Sequence, residues 1–569
     1  MAARLPRNAD VADQLDLLAD LSEILGDAGF RVLAYRRAAT RIRESAVSVA
    51  ELALAGKAKE LAGIGKTIEE KIVEVAELGE MQALARRREL VPEEVASFMR
   101  LPGLGPKTAA RIWTELGVTT LADLREAAAA GRLRELQGLG ARSEQKILAA
   151  LEQGAGEEEP RRGLLGIGLP VVRDVVEALR AHPAAVEVSE AGSVRRRRET
   201  FRDLDVIATA TDPAALTAAF VGLPWVLEVV AHGDTKATVL SQQGFRLDLR
   251  VVPPACYGDL LQHLTGSKDH NVALREAAVR RGLSVSEYGV TVVESGEVRT
   301  FATEEELYAF LGYAFIPPEL REGTGELEAA REGRLPVLVE LGDLRGDLHS
   351  HSTWSSDGKG TATEMAEAAR ERGHEYLALT DHSHYLREGR LDAQAEEIAA
   401  VNARLAPFRV LRGIEANIRA DGSLDVADET LAGLDWVVAS LHTAFDSSPT
   451  ERLLAAVENP HVDCIGHLTG RRLSRRRGAD VDVERVVARA AETGTSLEIN
   501  SQPDRLDLRD AHARLAGEAG VLVSVSTDAH STAALGYLEL GVGQARRAWL
   551  TREQVLNTRS WPEIERLRA

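Results

Sequence analysis

Residues 345–383 read RGDLHSHSTWSSDGKGTATEMAEAARERGHEYLALTDHS, and this stretch decides the fold of the C-terminal part of the chain. Two short apolar runs, RGDLH and YLALT, flank an Ala/Glu-rich segment of helical character, and histidines or acids follow each run. A buried strand, a helix and a second buried strand form the unit from which parallel sheets are built. Polar residues after such strands gather at one edge, so they are candidates for a common site.

The same alternation continues to the C-terminus. Seven strand-like runs can be read, separated by helical segments: RGDLH, YLALT, FRVLRGIE, WVVASLH, VDCIGH, TSLEIN and VLVSVST. This predicts parallel strands, either closed as a barrel or wound as an open sheet. Nine histidine and acidic side chains stand where the runs end, namely His349, His351, Asp357, His382, Glu415, His442, His467, Asp528 and His530. Nitrogen and oxygen ligands on a rigid scaffold suit a cluster of transition-metal ions, so the set predicts metal-dependent hydrolysis.

The first 155 residues are predicted to be helical, and a Gly-x-Gly element occurs in them three times. The copies are Gly63-Ile64-Gly65, Gly103-Leu104-Gly105 and Gly138-Leu139-Gly140, each followed by an Ala/Glu/Lys-rich helix. Glycines in a tight hairpin let the backbone approach a phosphate, and free N–H groups of the following helix point at it. The three copies favour binding to a phosphate backbone. A purely structural repeat, with glycines as helix caps, is the alternative.

Composition limits the cellular setting. Two cysteines, Cys256 and Cys464, cannot form a disulfide framework, which favours a reducing cytosol. The sequence has no signal-peptide core and no apolar run of about 18 residues, so we expect a cytoplasmic protein without a membrane partner. The formal net charge of -19 is not by itself typical of a nucleic-acid-binding protein.

A second group of acids lies in the middle of the chain, where Asp203-Leu204-Asp205 falls on a predicted strand. Side chains alternate along a strand, so both carboxylates are expected on one face. Asp248, in FRLDLRVV, is expected on another strand with the same orientation. Three close carboxylates can hold two hard divalent cations, which serve in-line phosphoryl transfer. The alternative is a strand with solvated aspartates beside a solvated arginine run, residues 195–198.

The run AGSVRRRRETFRDLDVIAT, residues 191–209, resembles the palm signature of family X DNA polymerases and their nucleotidyltransferase relatives. The runs HGDTKATV, FRLDLRVV and HLTGSKDHNVALREAAVRRGLSVSEYGV follow in the family's order. The glycine hairpins resemble the family's lyase and fingers domains, and the C-terminal part resembles the PHP (polymerase and histidinol phosphatase) domain of bacterial members. The resemblance implies an all-α helix-hairpin-helix region, an α+β nucleotidyltransferase palm with a thumb, and an α/β PHP domain shaped as a distorted seven-stranded barrel.

The resemblance also implies roles for single residues. Asp203, Asp205 and Asp248 match the carboxylates that hold two magnesium or manganese ions, and Asp248 would help to activate the primer 3'-hydroxyl. The residues that would bind the nucleotide and DNA are Ser193 and Arg196 at the triphosphate, Gly266 and Ser267 at the sugar, and Asn271 and Arg275 at the minor groove. The pair His263-Leu264 replaces a tyrosine-phenylalanine pair of eukaryotic members, so the chain departs from the family's pattern for sugar discrimination.

Lys71, in GKTIEEKI, matches the lysine that forms a Schiff base with an abasic sugar in lyase-competent relatives. Such a lysine needs a lowered pKa, from burial or from neighbouring cations. Lys66 is close in sequence, but Glu69 and Glu70 oppose the shift. An ordinary solvated helix lysine is the alternative.

For the nine C-terminal ligands, the PHP pattern implies up to three ions. The implied sets are His349, His351, Glu415 and Asp528 for the first, Glu415, His442 and His467 for the second, and Asp357, His382 and His530 for the third. Imidazole-rich sites favour manganese or zinc, whereas an aspartate-only site favours magnesium or manganese. Arg471, Arg472 and Arg505 are candidates for holding substrate phosphates, and residues 475–477 form either a solvated face or a DNA track.

The leading hypothesis is a DNA-directed DNA polymerase that fills short gaps in DNA repair, including base excision repair. Its PHP domain would add a 3'-5' exonuclease and, as a further activity, AP endonuclease cleavage. The alternatives are a PHP phosphoesterase with an inactive palm, and a non-catalytic scaffold that binds DNA ends. The expected partners are gapped or primer-template DNA and deoxynucleoside triphosphates, with the chain a monomer at the nucleoid. The predicted domains are a lyase-like region at 1–90, fingers at 91–160, palm at 161–255, thumb at 256–318, linker at 319–344 and PHP at 345–569.

Overall fold

The computed structural model describes residues 5–45, 47–61, 64–101, 103–152, 162–473 and 475–568. The chain divides into two compact units. The first comprises Met1–Arg162, Glu177–Val188 and Arg202–Val251, and the second comprises Gly163–Val176, Ser189–Phe201 and Val252–Ala569. Within the described ranges, no helix combines the length and the apolar character needed to cross a membrane.

The N-terminal part of the first unit is entirely helical where it is described. Its helices are α1 (Asn8–Ile24), α2 (Gly29–Glu44), α3 (Val49–Leu54), α4 (Lys66–Leu78), α5 (Gln82–Arg88), α6 (Pro106–Leu116), α7 (Leu121–Ala129) and α8 (Ala141–Glu152). Apolar residues at helical spacing, such as Ile68, Ile72 and Val75 of α4, lie in one shared core. Gly79, at φ +82°, ends α4 with the left-handed backbone that glycine tolerates best.

The segment that follows alternates strands with helices. Its elements are β1 (Gly163–Leu164), α9 (Leu165–Arg180), β2 (Ala185–Glu190), α10 (Gly192–Arg195), β3 (Thr200–Phe201), β4 (Asp203–Ala210), α11 (Pro213–Val221), β5 (Val226–His232), β6 (Lys236–Ser241) and β7 (Arg246–Val251). Five of these strands form a mixed sheet in the order β2-β4-β7-β6-β5. Strands β4 and β7 run parallel, and β6 is antiparallel to both β7 and β5. This α+β arrangement confirms the predicted fold class for the middle of the chain.

The continuous part of the second unit, from Val252 onward, starts with a small α+β region. The elements are α12 (Tyr257–Thr265), α13 (Lys268–Val279), β8 (Leu283–Ser286), β9 (Gly289–Val292), β10 (Val298–Arg299), α14 (Glu304–Phe310) and α15 (Glu326–Arg331). Leu274, Leu307 and Ile316 pack in its core. Arg321 is fully buried there, and its guanidinium contacts the Glu304 carboxylate at 2.5 Å.

The C-terminal region is a seven-stranded parallel barrel that is nearly closed. Neighbouring strands of the barrel follow one another in sequence order. They are β11 (Gly346–Ser350), β12 (Tyr376–Leu379), β13 (Arg409–Asn417), β14 (Trp436–Ser440), β15 (Cys464–Gly466), β16 (Ser496–Asn500) and β17 (Val523–Ser526). Its helices are α16 (Ala362–Glu371), α17 (Arg390–Leu405), α18 (Asp428–Leu431), α19 (Pro449–Val457), α20 (Val483–Thr493), α21 (Asp510–Glu518), α22 (Leu538–Arg547) and α23 (Trp561–Arg568). All seven predicted runs form strands, and the choice between barrel and open sheet is settled in favour of the barrel.

Two backbone hydrogen bonds join the first and last strands of this barrel. The N–H of His351 donates to the carbonyl of Ala529, and the N–H of Asp528 donates to the carbonyl of His349, each at 2.8 Å. The junction brings together two pairs of predicted ligands that lie about 180 residues apart in the sequence. The rim at the carboxyl ends of the strands is therefore a continuous ring.

Candidate metal centre and nucleotide site

The nine predicted ligands surround the rim of the barrel. His349 and Glu415 lie within β11 and β13, and the others lie in the loops that follow the strands, namely His351, Asp357, His382, His442, His467, Asp528 and His530. Parallel strands present their carboxyl ends at the same rim, which is why ligands from distant parts of the sequence meet. Asp528 and His467 adopt left-handed φ values of 51° and 24°, a strained backbone that often marks functional positions.

Glu415 is the centre of the cluster. Its Oε1 lies 3.1 Å from Nε2 of His467 and 3.2 Å from Nε2 of His442, and its Oε2 lies 2.7 Å from Nδ1 of His382. The side chain is 1% exposed, and although imidazole nitrogens surround both oxygens, neither oxygen accepts a well-directed hydrogen bond from a described residue. A buried carboxylate without donors is costly unless a cation compensates it.

Two further carboxylates border the same space. Asp528 Oδ1 lies 3.2 Å from Nε2 of His351 and 3.5 Å from Nδ1 of His530. Asp357 Oδ2 lies 3.3 Å from Nε2 of His530 and 3.6 Å from Nε2 of His382. The structure therefore brings the whole predicted set into one cluster.

Outer residues orient several of these ligands. Glu498 contacts Nδ1 of His349 at 2.7 Å, and Oδ1 of Asn417 contacts Nδ1 of His442 at 2.6 Å. Such partners fix the ring so that the opposite nitrogen faces the site. Sequence reasoning missed both residues. Glu498 is a charged residue inside TSLEIN, a run read as a buried strand, and that mismatch was a usable signal. Asn417 lies beyond the end of the predicted run FRVLRGIE.

Charges within the cluster shift the protonation of its imidazoles in opposite directions. Burial lowers the pKa of His382, but the carboxylates of Glu415 and Asp357 outweigh burial and raise this pKa to about 10. Burial, together with the positive Arg505, lowers the pKa of His467 to about 3. Burial raises the pKa of Glu415, yet the surrounding imidazoles hold that pKa well below its usual range. The cluster thus combines imidazoles that favour the protonated form, such as His382, with imidazoles that favour the neutral form, such as His467.

The donor set fits divalent transition-metal ions. Three groups offer nitrogen and oxygen atoms within 4.8 Å of one another, namely His351 with His382 and His530, His349 with His351 and Glu415, and His382 with Glu415 and His442. Imidazole and carboxylate donors in this mixture are typical of manganese, iron or zinc sites. The unpartnered oxygens of Glu415 are atoms that a cation would satisfy.

Arginines stand beside the cluster. Arg505 is nearly buried, with its Nε 3.7 Å from Oδ2 of Asp528. Arg472 pairs with Asp504 at 2.6 Å, and Arg471 pairs with Glu199 at 2.7 Å. Of the three predicted phosphate-binding arginines, Arg505 alone contacts a predicted ligand among the ion pairs of the described residues. In the run 475–477, Arg476 lies 4.2 Å above the ring of Phe445.

In the first unit, the three aspartates share one face of the mixed sheet. Asp205 stands directly opposite Asp248 in the register of the parallel strands β4 and β7, and Asp203 lies two residues earlier on β4. Arg246, which is opposite Asp203, contacts Asp248 through its Nε at 3.0 Å. The pairing agrees with the alternation expected from the sequence.

The predicted nucleotide residues lie in the second unit. Arg196 donates through Nε to Glu322 at 2.9 Å and through Nη1 to the carbonyl of Thr265. Gly266 has φ +67°, and a Cβ there would lie 3.1 Å from Nη1 of Arg196. Ser267 caps α13 by accepting from the N–H of His270 at 3.2 Å. Ser193 lies in α10, three residues before Arg196.

Asn271 and Arg275 project from α13 onto α12. Asn271 Nδ2 donates to the carbonyl of His263, and Arg275 Nη2 contacts Nδ1 of the same histidine, each at 2.8 Å. His263 is the residue at which the chain departs from the tyrosine-phenylalanine pair. Its backbone carbonyl therefore holds Asn271, and its imidazole holds Arg275.

The glycine hairpins precede helices as expected. Gly65 and Gly105 are the residues immediately before α4 and α6, both in extended conformation, and Gly103 has φ +77°. Gly63 lies outside the described residues. Lys71 is half-buried in α4, and its role as a lyase nucleophile stays a prediction.

Four family models match the chain. They are a helix-hairpin-helix domain at residues 6–81, a SAM-like helix-hairpin-helix tandem at 95–153, a DNA polymerase beta thumb at 260–322 and a PHP domain at 347–502. Fold and site together therefore define a polymerase-type protein whose C-terminal PHP barrel carries a candidate metal centre.

The DNA polymerase/3'-5' exonuclease PolX of Bacillus subtilis (strain 168) is 40% identical to this chain over 567 residues, which are 98% of each protein. The chain belongs to this family of bacterial PolX proteins, and the family expected from the sequence is confirmed. Probable phosphatases match the C-terminal part alone. One from Thermoanaerobacter sp. (strain X514) is 32% identical over 232 residues, 37% of this chain and 89% of the relative. One from Aliivibrio fischeri is 26% identical over 230 residues, 37% of this chain and 88% of the relative.

Proposed function

We propose that this chain is a DNA-directed DNA polymerase that also removes nucleotides from DNA 3' ends. The observation that carries the polymerase assignment is the register of β4 and β7, which sets Asp205 opposite Asp248 with Asp203 on the same face. Three carboxylates in this arrangement, in a chain with a polymerase thumb and two helix-hairpin-helix matches, are suited to nucleotidyl transfer.

In this proposal Asp203, Asp205 and Asp248 hold two magnesium or manganese ions, which supply charge neutralisation for in-line phosphoryl transfer. Asp248 helps to accept the proton of the primer 3'-hydroxyl. Other residues bind and orient the substrates, with Ser193 and Arg196 at the triphosphate, Gly266 and Ser267 at the sugar, Asn271 and Arg275 at the minor groove, and Gly63, Gly65, Gly103 and Gly105 at backbone phosphates.

The nuclease activity is assigned to the cluster around Glu415. Its nine side chains would hold up to three manganese or zinc ions, and Arg505 would orient a phosphodiester beside Asp528. The two buried oxygens of Glu415, which lie among imidazole nitrogens without a well-directed hydrogen bond, would help to hold these ions. AP endonuclease cleavage is proposed as a further activity of the same site.

The finer biological assignments rest on the family. We propose short-gap filling in DNA repair, including base excision repair, on gapped or primer-template DNA with deoxynucleoside triphosphates. The same proposal includes the domain limits predicted from the sequence. It also includes a monomeric state and a cytoplasmic, nucleoid-associated location. The proposal also includes lyase activity of Lys71, although Glu69 and Glu70, its neighbours in α4, oppose the lowered pKa that this activity needs.

The test uses two variants that serve as controls for each other. Asp205→Asn removes one carboxylate of the sheet, and His349→Asn removes one ligand of the barrel. On a gapped substrate with a labelled primer, Asp205→Asn should lose at least about 100-fold in incorporation and keep 3' trimming, whereas His349→Asn should do the reverse. Normal incorporation by Asp205→Asn rejects the polymerase site. Trimming that survives in His349→Asn rejects the nuclease site. If neither reaction is detectable in the wild type or in either variant, a non-catalytic DNA-end scaffold is favoured.

A further inference from the structure

The carboxylate of Glu322, in the second unit, accepts hydrogen bonds from two arginines in distant parts of the chain, and a third, Arg198, lies 3.7 Å from its Oε2. Oε1 of Glu322 accepts from Nε of Arg196 at 2.9 Å and from Nη1 of Arg547 at 2.8 Å. Arg547 is the last residue of α22, and Glu322 is the last residue of the segment that matches the polymerase thumb. A helix of the barrel region thus shares an acid with the predicted nucleotide-binding residue Arg196.

Arg547 is firmly held in this position. Its side chain is 2% exposed, it donates to the backbone carbonyl of Arg196 at 3.0 Å, and it pairs with Asp510 as well as with Glu322. A Cβ on Gly543, one turn earlier in α22, would lie 3.1 Å from Cβ of Arg197. The helix therefore packs directly against the loop that contains Arg196.

The shared acid creates a competition for Arg196. The guanidinium of Arg196 is 12% exposed and already binds Glu322 and the carbonyl of Thr265, so an incoming phosphate must replace the Glu322 contact. A poorly solvated carboxylate that loses its only cation carries a large penalty. Arg198 is 41% exposed and lies 3.7 Å from Oε2, so Arg547 on Oε1 is the hydrogen-bonded cation that Glu322 keeps when Arg196 turns to the phosphate.

We propose that Arg547 is a positioning residue for nucleotide binding, which compensates Glu322 and so releases Arg196 to the triphosphate. The proposal rests on the proposed function, because it takes Arg196 as a triphosphate ligand. It gives the barrel region a part in nucleotide addition that is separate from its metal cluster. Lysine should replace Arg547 poorly, since one ammonium cannot serve Glu322, Asp510 and the Arg196 carbonyl in the same planar geometry.

The test compares steady-state incorporation of one deoxynucleotide into gapped DNA by the full-length protein. Arg547→Gln should raise KM for the nucleotide about tenfold and change kcat little, because Arg196 stays bound to Glu322 more tightly. Arg547→Lys should lie between the wild type and Arg547→Gln. Adding Glu322→Gln to Arg547→Gln should restore KM to within about threefold of the wild type, since the competing charge is gone.

Arg546→Gln is the matched control. Arg546 is the neighbouring residue of α22 and pairs with Glu319 at 2.7 Å, so its loss breaks a similar ion pair without touching Arg196 or Glu322. Wild-type KM in Arg546→Gln with raised KM in Arg547→Gln supports the proposal. Equal effects in both variants, or no rescue by Glu322→Gln, overturn it in favour of general loosening of the contact.

Two measurements separate failure of this inference from other failures. Arg196→Gln should raise KM strongly; if it does not, the triphosphate assignment in the proposed function is wrong. If Arg196→Gln raises KM but Arg547→Gln does not, only the present inference fails. Retained 3' trimming and an unchanged circular dichroism spectrum show that a variant is folded. Should Arg547→Gln not fold, Glu322→Gln alone decides, because it should lower KM, and a raised KM contradicts the competition.

Discussion

The carboxylate of Glu498 lies 2.7 Å from Nδ1 of His349, while Nε2 of the same imidazole faces Glu415 at 3.6 Å. Both side chains are about 1% exposed. Glu498 therefore fixes which nitrogen of His349 is presented to the cluster. It also places a second buried negative charge behind the ring, which strengthens the imidazole as a donor.

Replacing Glu498 by glutamine should weaken metal binding without unfolding the barrel. The amide oxygen can still accept from Nδ1, but its charge is lost, so the apparent affinity for manganese should fall by about 10- to 100-fold. Manganese titration of 3' trimming measures the effect. Glu484→Gln, at an exposed position on α20, is the control and should titrate as the wild type. An unchanged midpoint in Glu498→Gln contradicts the role given to this residue.

Metal binding should release protons at neutral pH. Metal ligation requires neutral imidazoles, whereas the carboxylates around His382 raise its pKa to about 10 and those around His349 raise its pKa well above the ordinary value, in each case against burial. Affinity should therefore rise as the pH increases from about 7 towards 10. Calorimetry of manganese binding in buffers of different ionisation enthalpy counts the protons. Heats that do not depend on the buffer at pH 7.5 contradict the prediction.

The same shift predicts how the metal-free protein responds to alkali. The folded-state pKa of His382 lies above its ordinary value of 6.5, so its protonation stabilises the fold fully below pH 6.5. That contribution is lost as the pH rises through about 10. In chelator, the wild type should lose more melting temperature between pH 7 and pH 10 than His382→Asn, measured by circular dichroism. Equal losses in both proteins would count against it.

Alanine substitutions at the hairpin glycines should affect stability and DNA binding at different positions. Gly103 has φ +77°, so alanine there should destabilise the helical region by about 1–2 kcal/mol. Gly105 has φ −84° and no atom near the position of an added Cβ, so alanine should leave the melting temperature unchanged. Gly105→Ala should nevertheless weaken DNA binding several-fold in fluorescence anisotropy, because the Cβ keeps a phosphate away from the backbone. Wild-type affinity in Gly105→Ala would favour the structural role of the repeat.

Arg321 should be important for the stability of the thumb. Removing one partner of a buried ion pair costs about 3–5 kcal/mol, and Arg321→Met leaves Glu304 with Arg195 alone. Burial raises the pKa of Glu304, but Arg321 and Arg195 outweigh it and lower this pKa to about 2. Stability from this carboxylate is thus present above pH 4.5 and lost as the pH falls towards 2. Acid titration followed by tryptophan fluorescence should show unfolding of Arg321→Met at higher pH, with exposed Arg334→Met as control.

Much of the architecture follows from patterns within short stretches. The seven barrel strands were predictable because each is a short apolar run between helices, buried on both faces. The shared face of Asp203 and Asp205 followed from strand alternation alone. Closure of the barrel did not follow, because it depends on how strands tilt and pack rather than on any local run. The register that sets Asp205 opposite Asp248 is likewise a tertiary property.

The outer residues of the sites mark the limit of sequence reasoning. Glu498 could have been found, since a charged side chain inside a buried strand needs a partner, whereas Asn417 lies beyond the end of the predicted run. The contact of Arg547 with Arg196 could not, because 351 residues separate the two and no periodicity links them. Long-range ion pairs depend on packing geometry, which a single sequence does not display.

The seam between β11 and the residues after β17 has a consequence for incomplete copies of the protein. His349 and His351 meet Asp528 and His530 only after the six later strands of the barrel have been synthesised, and Arg547 is added later still. A copy that is truncated or cleaved within the barrel lacks the complete set of ligands, and it lacks Arg547 as a partner of Glu322. A single break within the barrel therefore removes the complete ligand cluster and the Arg547 contact of Glu322 at once.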